Sequence, residues 1–503
     1  MGNLQFRRKI IFYMGRKSIK INALLNVIKS VLSVLFPLIT YPYAFRVLHA
    51  ENIGKVDYAL SIISYFSFIA ALGVNSYAIR EGSKKRDNKN EFSELANEIF
   101  TINISSTIVA YILFLICLLS IRKFQPYSKI LLLLSISIMF QTLSVDWINV
   151  IYEDFLFITI RSIITHVISL ILLFIFVKTE HDFYWYASLT VITNAVIAIS
   201  NWKYCKKYIK LKLSFSRKLS THITPIFMLF ANNIATSIYV NSDSTMIGWM
   251  IGDYYVGLYA IAVRIYNVLK NIIAAIYSVV IPRISYSIGR KDFEGVKQIY
   301  SKLVSVVTLF LIPTSIGVLS LSKDIILFMG GEEYLNSVLT LQVLSISLIG
   351  AILGGLIAYC LNIPLRREQK NVIATSISAG INVCLNLLLI PLYKQNGAAF
   401  TTAVSEFFVF FFCLINTKDI NMYLDLKAWM KNTFHACVGG IVIILSSMII
   451  HKSIGYSAFS MLLIALLGGI GYLIVLFLLG NTLFKETIGH VAKKVQYHDF
   501  ELK

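Results

Sequence analysis

The sequence predicts an all-α polytopic membrane protein with about 14 transmembrane helices. Three observations carry that prediction. Of 503 residues, 57% are hydrophobic and only 14% charged, with a mean hydropathy of +0.72; soluble domains run at about 45–50% and 25%. The apolar residues fall into runs of about 20 or more, the length a helix needs to cross the hydrocarbon. The cations alternate in density from one connection to the next, the pattern that sets topology in polytopic proteins.

In chain order the apolar runs are expected as helices at 22–48, 54–78, 94–120, 129–150, 155–177, 183–202, 222–250, 255–281, 298–321, 335–361, 371–390, 397–416, 432–450 and 456–480. With the N-terminus in the cytoplasm, 32 Lys and Arg fall on the cytoplasmic side and 8 on the other; six lie within helices. Such a bias over short loops supports the orientation and the helix count together, because one missed helix inverts every later loop. An even number of spans puts both termini in the cytoplasm.

The net charge of +20 is read as this topological bias and not as a nucleic-acid footprint, since no basic module with interleaved aromatics is present. The six cysteines form no C-x-x-C pair and are expected to act as small hydrophobes, without metal or disulfide. No cleavable small-residue site closes the first apolar run, so no signal peptide is expected. There is no G-x-x-x-x-G-K-[ST] and no H-E-x-x-H, and the longest polar segments are 80–93, 203–221 and the tail from about 481. An ATP-driven pump and a zincin-type protease are therefore not expected, and no cofactor is. Asn103-Ile-Ser105 matches a glycosylation sequon but lies within a membrane run.

A weak internal repeat links His49-Ala-Glu-Asn-Ile-Gly54 with Gly252-Asp-Tyr-Tyr-Val-Gly257. Each lies between the first two helices of a six-helix set. Two related bundles with a binding site near the midplane are a recurrent transporter architecture.

Charges within hydrocarbon cost at least about 2.5 kcal/mol and usually face a cavity or a partner. The basic ones here are Lys29, Arg46, Arg161, Arg264, Lys270 and Lys302; the acidic ones in or near helices are Asp57, Asp146, Asp243 and Glu406. The first helix carries Asn22, Asn26, Lys29, Ser33, Pro37 and Thr40 as one polar stripe. The seventh carries Asn232, Thr236, Tyr239 and Asp243. The eighth sets Arg264, Asn267 and Asn271 on one face with Lys270 beside them. The eleventh has Thr375, Ser378, Asn382 and Asn386.

Each has a plainer reading. Stripes of Asn, Ser and Thr can be interhelical glue. Lys29 can reach the cytoplasmic surface, Arg46 the outer headgroups, and Lys302 an interface. Arg161 can pair with Asp146 across a short turn. Arg264, near mid-membrane, is hardest to explain in that way. Asp243, close to the outer mouth, is a candidate for ion coupling. Deep cations outnumber deep anions, which suits an anionic headgroup such as phosphate or pyrophosphate.

Residues Asn22, Pro42-Tyr43, Arg46-Val-Leu48, Gly54, Leu72-Gly73 and Ala78-Ile-Arg80-Glu81 resemble the N-terminus of Wzx-type polysaccharide repeat-unit flippases, in the polysaccharide transport branch of the MOP superfamily. Later matches are Asp243 with Met246-Ile-Gly248, Gly257-Leu-Tyr259, Pro282-Arg283, and Asn396-Gly397-Ala398-Ala399 before Glu406. His49 departs from the pattern, standing where members carry glycine.

The resemblance implies a MATE-like fold: a basic N-terminus at 1–21, an N-lobe at 22–202, a basic cytoplasmic linker at 203–221, a C-lobe at 222–416, two appended helices within 432–480 and a cytoplasmic tail at 481–503. It implies a non-enzymatic flippase in the bacterial inner membrane. That flippase would move undecaprenyl-pyrophosphate-linked oligosaccharide units to the outer leaflet for capsule, O-antigen or exopolysaccharide assembly, by alternating access with a cationic cavity. Arg264, Lys270, Lys29, Arg46 and Arg161 would hold the pyrophosphate, with Asn26, Asn232, Asn267 and Asn271 donating hydrogen bonds. A polysaccharide polymerase and a chain-length regulator are the protein partners expected. A MATE-like exporter of drugs or cations and a lipid II flippase are the alternatives.

Overall fold

A computed structural model describes residues 19–216 and 219–486; the side chains of 19–35, 231–237, 239 and 278–279 lie outside that description. All regular structure among the described residues is helical. Eleven stretches are long and apolar enough to cross a membrane. Two of these each hold two sequence runs, hinged at a residue with positive φ, and a further helix covers 222–250. All 14 runs thus lie in helices.

The described residues up to Trp249 form one compact unit. It begins with α1 (Ile19–Ala71), interrupted at His49, whose φ of 63° and ψ of 168° end one span and start the next. Leu72 and Gly73, both at positive φ, break the chain before α2 (Val74–Lys85). Helix α3 (Lys89–Ser120) starts five residues earlier than the apolar run, because Asn88 caps it by accepting from the N–H groups of Asn90 and Glu91. Then follow α4 (Ser128–Ser144), the short α5 (Asp146–Ile151), α6 (Phe155–Phe176), α7 (Phe183–Cys205) and α8 (Leu219–Met250). Phe92, Ile99, Trp147 and Ile148 anchor an apolar core shared by several of them. Asn103 is buried there and donates to the Ala70 carbonyl at 2.8 Å, so its side chain is closed to glycosylation.

Helix α8 packs within this unit, whereas the sequence division assigned residues from 222 onward to the C-lobe. The contacts explain the difference. A Cβ on Gly248 would fall 2.2 Å from the buried Tyr58 ring, so glycine allows α8 to lie against α1. Thr245 Oγ1 donates to Ser61 at 2.8 Å and lies 3.2 Å from the Tyr65 hydroxyl. Lys123 donates to the Trp249 carbonyl and sits over its ring.

The described residues from Met250 onward form the second unit. Its helices are α9 (Asp253–Gly289), α10 (Phe293–Gly330), α11 (Val338–Ile357), α12 (Glu368–Asn416, hinged at Lys394), α13 (Ile420–Tyr423), α14 (Leu426–Ile454) and α15 (Ala458–Leu478). Helix α10 overruns its apolar run at both ends. Asp292 caps its start by accepting from Gly295 N, and Gly331 at φ 79° ends it. Gly350 brings α11 against α12 so closely that a Cβ would meet the Phe407 backbone nitrogen at 2.9 Å. At one end of α10, Asp324 accepts from Ser457 N at 3.0 Å and from Ser460 Oγ at 2.9 Å, and its other oxygen lies 2.8 Å from His451 Nε2. This ties the last two helices to α10.

Candidate functional site

Helix α9 carries four of the expected site residues. Arg264 is half-buried, and Asn267 and Asn271, three and seven positions on, are exposed. The spacing sets all three on one face. One face of α9 therefore carries a guanidinium and two amides. Such groups donate to phosphate oxygens or sugar hydroxyls.

Lys270 is differently placed. Its ammonium lies 2.6 Å from Glu406 Oε1 on α12, and the buried Tyr266 hydroxyl donates to the same oxygen at 2.9 Å. Glu406 is 6% exposed. The pair therefore satisfies a carboxylate that would be costly to bury alone. Its net charge is near zero, and an anion that recruits Lys270 must compete with Glu406. The pairing spans 136 residues of sequence, and no local spacing announces it.

The polar stripe of the eleventh run turns inward. Asn382 and Asn386 are fully buried; Asn386 donates to Asn382 Oδ1 at 3.1 Å and accepts from Thr401 Oγ1 at 2.5 Å. These bonds join the two halves of α12 and fit the interhelical-glue reading.

In the first unit, Arg161 is 7% exposed and its Nη1 donates to Asp146 at 2.8 Å and also to Asn201. Asn149 donates to Asn201 Oδ1 at 2.9 Å, which closes the network. Arg161 thus takes up the short-turn pairing that its sequence position allowed. Asp146, half of it still accessible, lines a cavity of about 220 Å³ together with Ser67, Asn75, Asn103, Gln141 and Thr142. Arg46 is exposed, three residues before the His49 hinge. Asp243 is buried on α8, two residues before Thr245. The side chains of Asn26, Lys29 and Asn232 lie outside the described residues. No group of His, Cys, Asp and Glu among the described residues is arranged to hold a metal.

Sequence reasoning misses a network around a buried carboxylate near the linker. Asp154 is 3% exposed and accepts from the Tyr204 hydroxyl at 2.5 Å, Lys207 at 2.8 Å and the Tyr208 hydroxyl at 2.9 Å. Burial alone would lower the Lys207 ammonium, but Asp154 and the two tyrosines outweigh it and hold the group above its ordinary value. Nearby, Glu98 is 2% exposed and accepts from Ser216 Oγ at 2.5 Å, with His222 Nε2 at 3.0 Å and the Tyr77 hydroxyl 2.7 Å from His222 Nδ1. No sequence signal marks either: Asp154 follows Glu153, Glu98 follows Glu91 and Glu94, and only the fold brings them to the basic linker.

Known proteins resemble the chain along most of its length. The sequence model of the polysaccharide biosynthesis protein family matches residues 19–287, and the MatE model matches 229–393. A "Putative O-antigen transporter" of Escherichia coli K12 is 26% identical over 398 residues, covering 74% of this chain and 90% of the relative. A "Probable low-salt glycan biosynthesis flippase Agl15" of Haloferax volcanii is 26% identical over 174 residues, covering 35% of this chain and 37% of its own. Among solved structures, the lipid II flippase MurJ in an inward closed conformation superposes with a TM-score of 0.73 at 18% identity, covering 92% of this chain and 99% of that one. An inward-facing MATE transporter of the MOP superfamily gives 0.56 at 12% identity, covering 77% and 99%. With its family model matched over more than half its length, the chain belongs to the polysaccharide biosynthesis protein family, and it shares its fold with these transporters.

Proposed function

We propose that this protein is a flippase for lipid-linked oligosaccharides, moving undecaprenyl-pyrophosphate-linked repeat units from the cytoplasmic to the outer leaflet of the bacterial inner membrane. Both termini would lie in the cytoplasm, a placement supported by the charge bias of the loops. The observation that carries the reading is the alignment of Arg264, Asn267 and Asn271 on one face of α9. Guanidinium forks match phosphate oxygens in geometry and charge, and amides match sugar hydroxyls. Transport needs no covalent chemistry: the surface that holds the headgroup becomes accessible first from one side of the membrane and then from the other. The polymer would be assembled outside, by a polymerase with a chain-length regulator.

Deletion of the gene, with surface glycan and lipid-linked intermediates measured together, tests the substrate class. Loss of surface polymer with repeat units accumulating in the cytoplasmic leaflet supports the reading. Unchanged glycan with altered efflux of a cationic dye overturns it in favour of an exporter of the MatE kind, and arrested growth with accumulating lipid II in favour of a lipid II flippase. Arg264→Ala is expected to reduce surface polymer at least tenfold while the protein level stays within twofold of wild type. Equal loss of both would remove Arg264 from the pathway.

A further inference from the structure

The linker after α7 is not a slack tether. Residues 209–216 have no regular structure but are bonded to α3. The Lys212 N–H donates to Asn97 Oδ1 at 2.8 Å, the Ser214 N–H to Thr101 Oγ1 at 2.8 Å, and Ser216 Oγ to Glu98. Between this strap and the first turns of α3 lies a cavity of about 410 Å³, lined by Lys89, Lys206, Lys210 and Lys212 with Asn90, Ser93 and Asn97. Four lysines, all exposed, thus border one cavity. No ion pair of any of the four is found among the described residues. Three acids in this region have other partners: Glu91 accepts from Asn88 Nδ2 at 2.6 Å, Asp154 holds Lys207, and Glu98 holds Ser216 and His222.

Two further side chains say where such an anion resides. Leu213 is 53% exposed and Phe215 80% exposed, one and three residues beyond Lys212. Lysines beside exposed apolar side chains suit a bilayer surface, where the apolar groups enter the acyl boundary and the ammoniums meet headgroup phosphates. The α3 N-terminus is already capped by Asn88, so the lysines carry the site.

We propose that this cavity is a binding site for the phosphate of a membrane lipid headgroup, separate from the α9 face and seated on the strap that joins α7 to α8. On the orientation given above it opens at the cytoplasmic leaflet. The lipid is either a resident anionic phospholipid or a polyprenyl pyrophosphate; both present the same oxyanion to the same lysines.

Native mass spectrometry of the full chain in neutral detergent tests this, with phosphatidylglycerol, phosphatidylcholine of the same acyl length, and undecaprenyl pyrophosphate as separate probes. Wild type is expected to retain one of the two anionic probes at least tenfold better than phosphatidylcholine. Near an anionic surface each lysine is worth roughly fivefold, so the triple variant Lys206→Gln, Lys210→Gln, Lys212→Gln should lose at least tenfold of that retention. The triple arginine variant at these positions should keep it. Lys291→Gln, Lys418→Gln, Lys427→Gln, which removes the same charge from exposed positions elsewhere, should change it less than twofold. Phosphatidylglycerol retention that the Lys206, Lys210, Lys212 glutamine triple loses identifies a resident lipid, and undecaprenyl pyrophosphate retention alone lost in that triple identifies a polyprenyl one; either supports the site. Equal loss in the two glutamine triples, or no preference over phosphatidylcholine, overturns it. These binding outcomes are independent of whether the α9 face transports glycans.

Discussion

His49 occupies a backbone region that glycine enters freely and other residues enter only under strain, at φ 63° and ψ 168°. Its counterpart in the internal repeat, Gly252, sits at φ 108° and ψ 172°, so the two hinges share a conformation although only one has the residue suited to it. The cost at such a position is about 1–3 kcal/mol, offset in part by the greater chain entropy of an unfolded glycine. His49→Gly is therefore expected to stabilise the protein by about 1 kcal/mol, read as a rise in the detergent thermal midpoint. Lys270 and Glu406 make the opposite kind of point. Removing one partner leaves the other without its counter-charge in a poorly solvated place, which for buried pairs costs about 3–5 kcal/mol. Lys270 keeps a third of its side chain accessible, so Glu406→Ala is expected near the low end, about 3 kcal/mol. The double variant Glu406→Leu, Lys270→Met should recover most of that loss in the same melting assay; failure to recover would mean that the pair does more than neutralise itself.

At the scale of elements, α12 is fastened at its start by an ion pair outside the span. Arg367 makes two 2.7 Å bonds to the two oxygens of Asp419. The Arg367 guanidinium beside Asp419 holds its carboxyl below the usual range, against the opposing effect of burial. A carboxyl lowered in the folded state stabilises above its unfolded value near 3.9, and that contribution disappears as pH falls through the folded value. Both side chains are about a third exposed, so the effect is about 1 kcal/mol or less. Asp419→Asn should make melting temperature less steep in pH below about 4, with the largest loss of stability near neutrality. Helices were the legible part of this sequence, because each apolar run is its own signal: all 14 lie in helices. Their ends were less legible. Asn88 and Asp292 extend α3 and α10 beyond the hydrocarbon with caps that hydropathy does not see.

At the scale of the whole molecule, what periodicity could not supply was partnership. The face of Arg264, Asn267 and Asn271 follows from spacing on one helix, and Arg161 with Asp146 from a short turn. Lys270 with Glu406, Glu98 with Ser216, and Asp324 with Ser460 join residues 118–136 positions apart, and only the tertiary fold brings them together. The 203–221 segment shows the same limit. Composition marked it as a basic linker, and three α3 side chains hold its described part as a strap. Glu98→Ala should release it, since Ser216 and His222 lose their shared acceptor. Limited trypsin digestion in detergent is expected to cut after Lys210 and Lys212 at least fivefold faster in that variant; an unchanged rate would mean that Asn97 and Thr101 suffice.

The pairing of Arg161 with Asp146 and of Lys270 with Glu406 also bears on electrical work. A single charge carried across the membrane potential exchanges about 2.3 kcal/mol per 100 mV. Opposite charges less than 3 Å apart, displaced together, exchange almost nothing. Any rearrangement that keeps these pairs intact is nearly silent to voltage on their account. If transport by this protein responds to membrane potential, the field must act on other charges, those of the cargo included, or on a step in which one of these pairs comes apart.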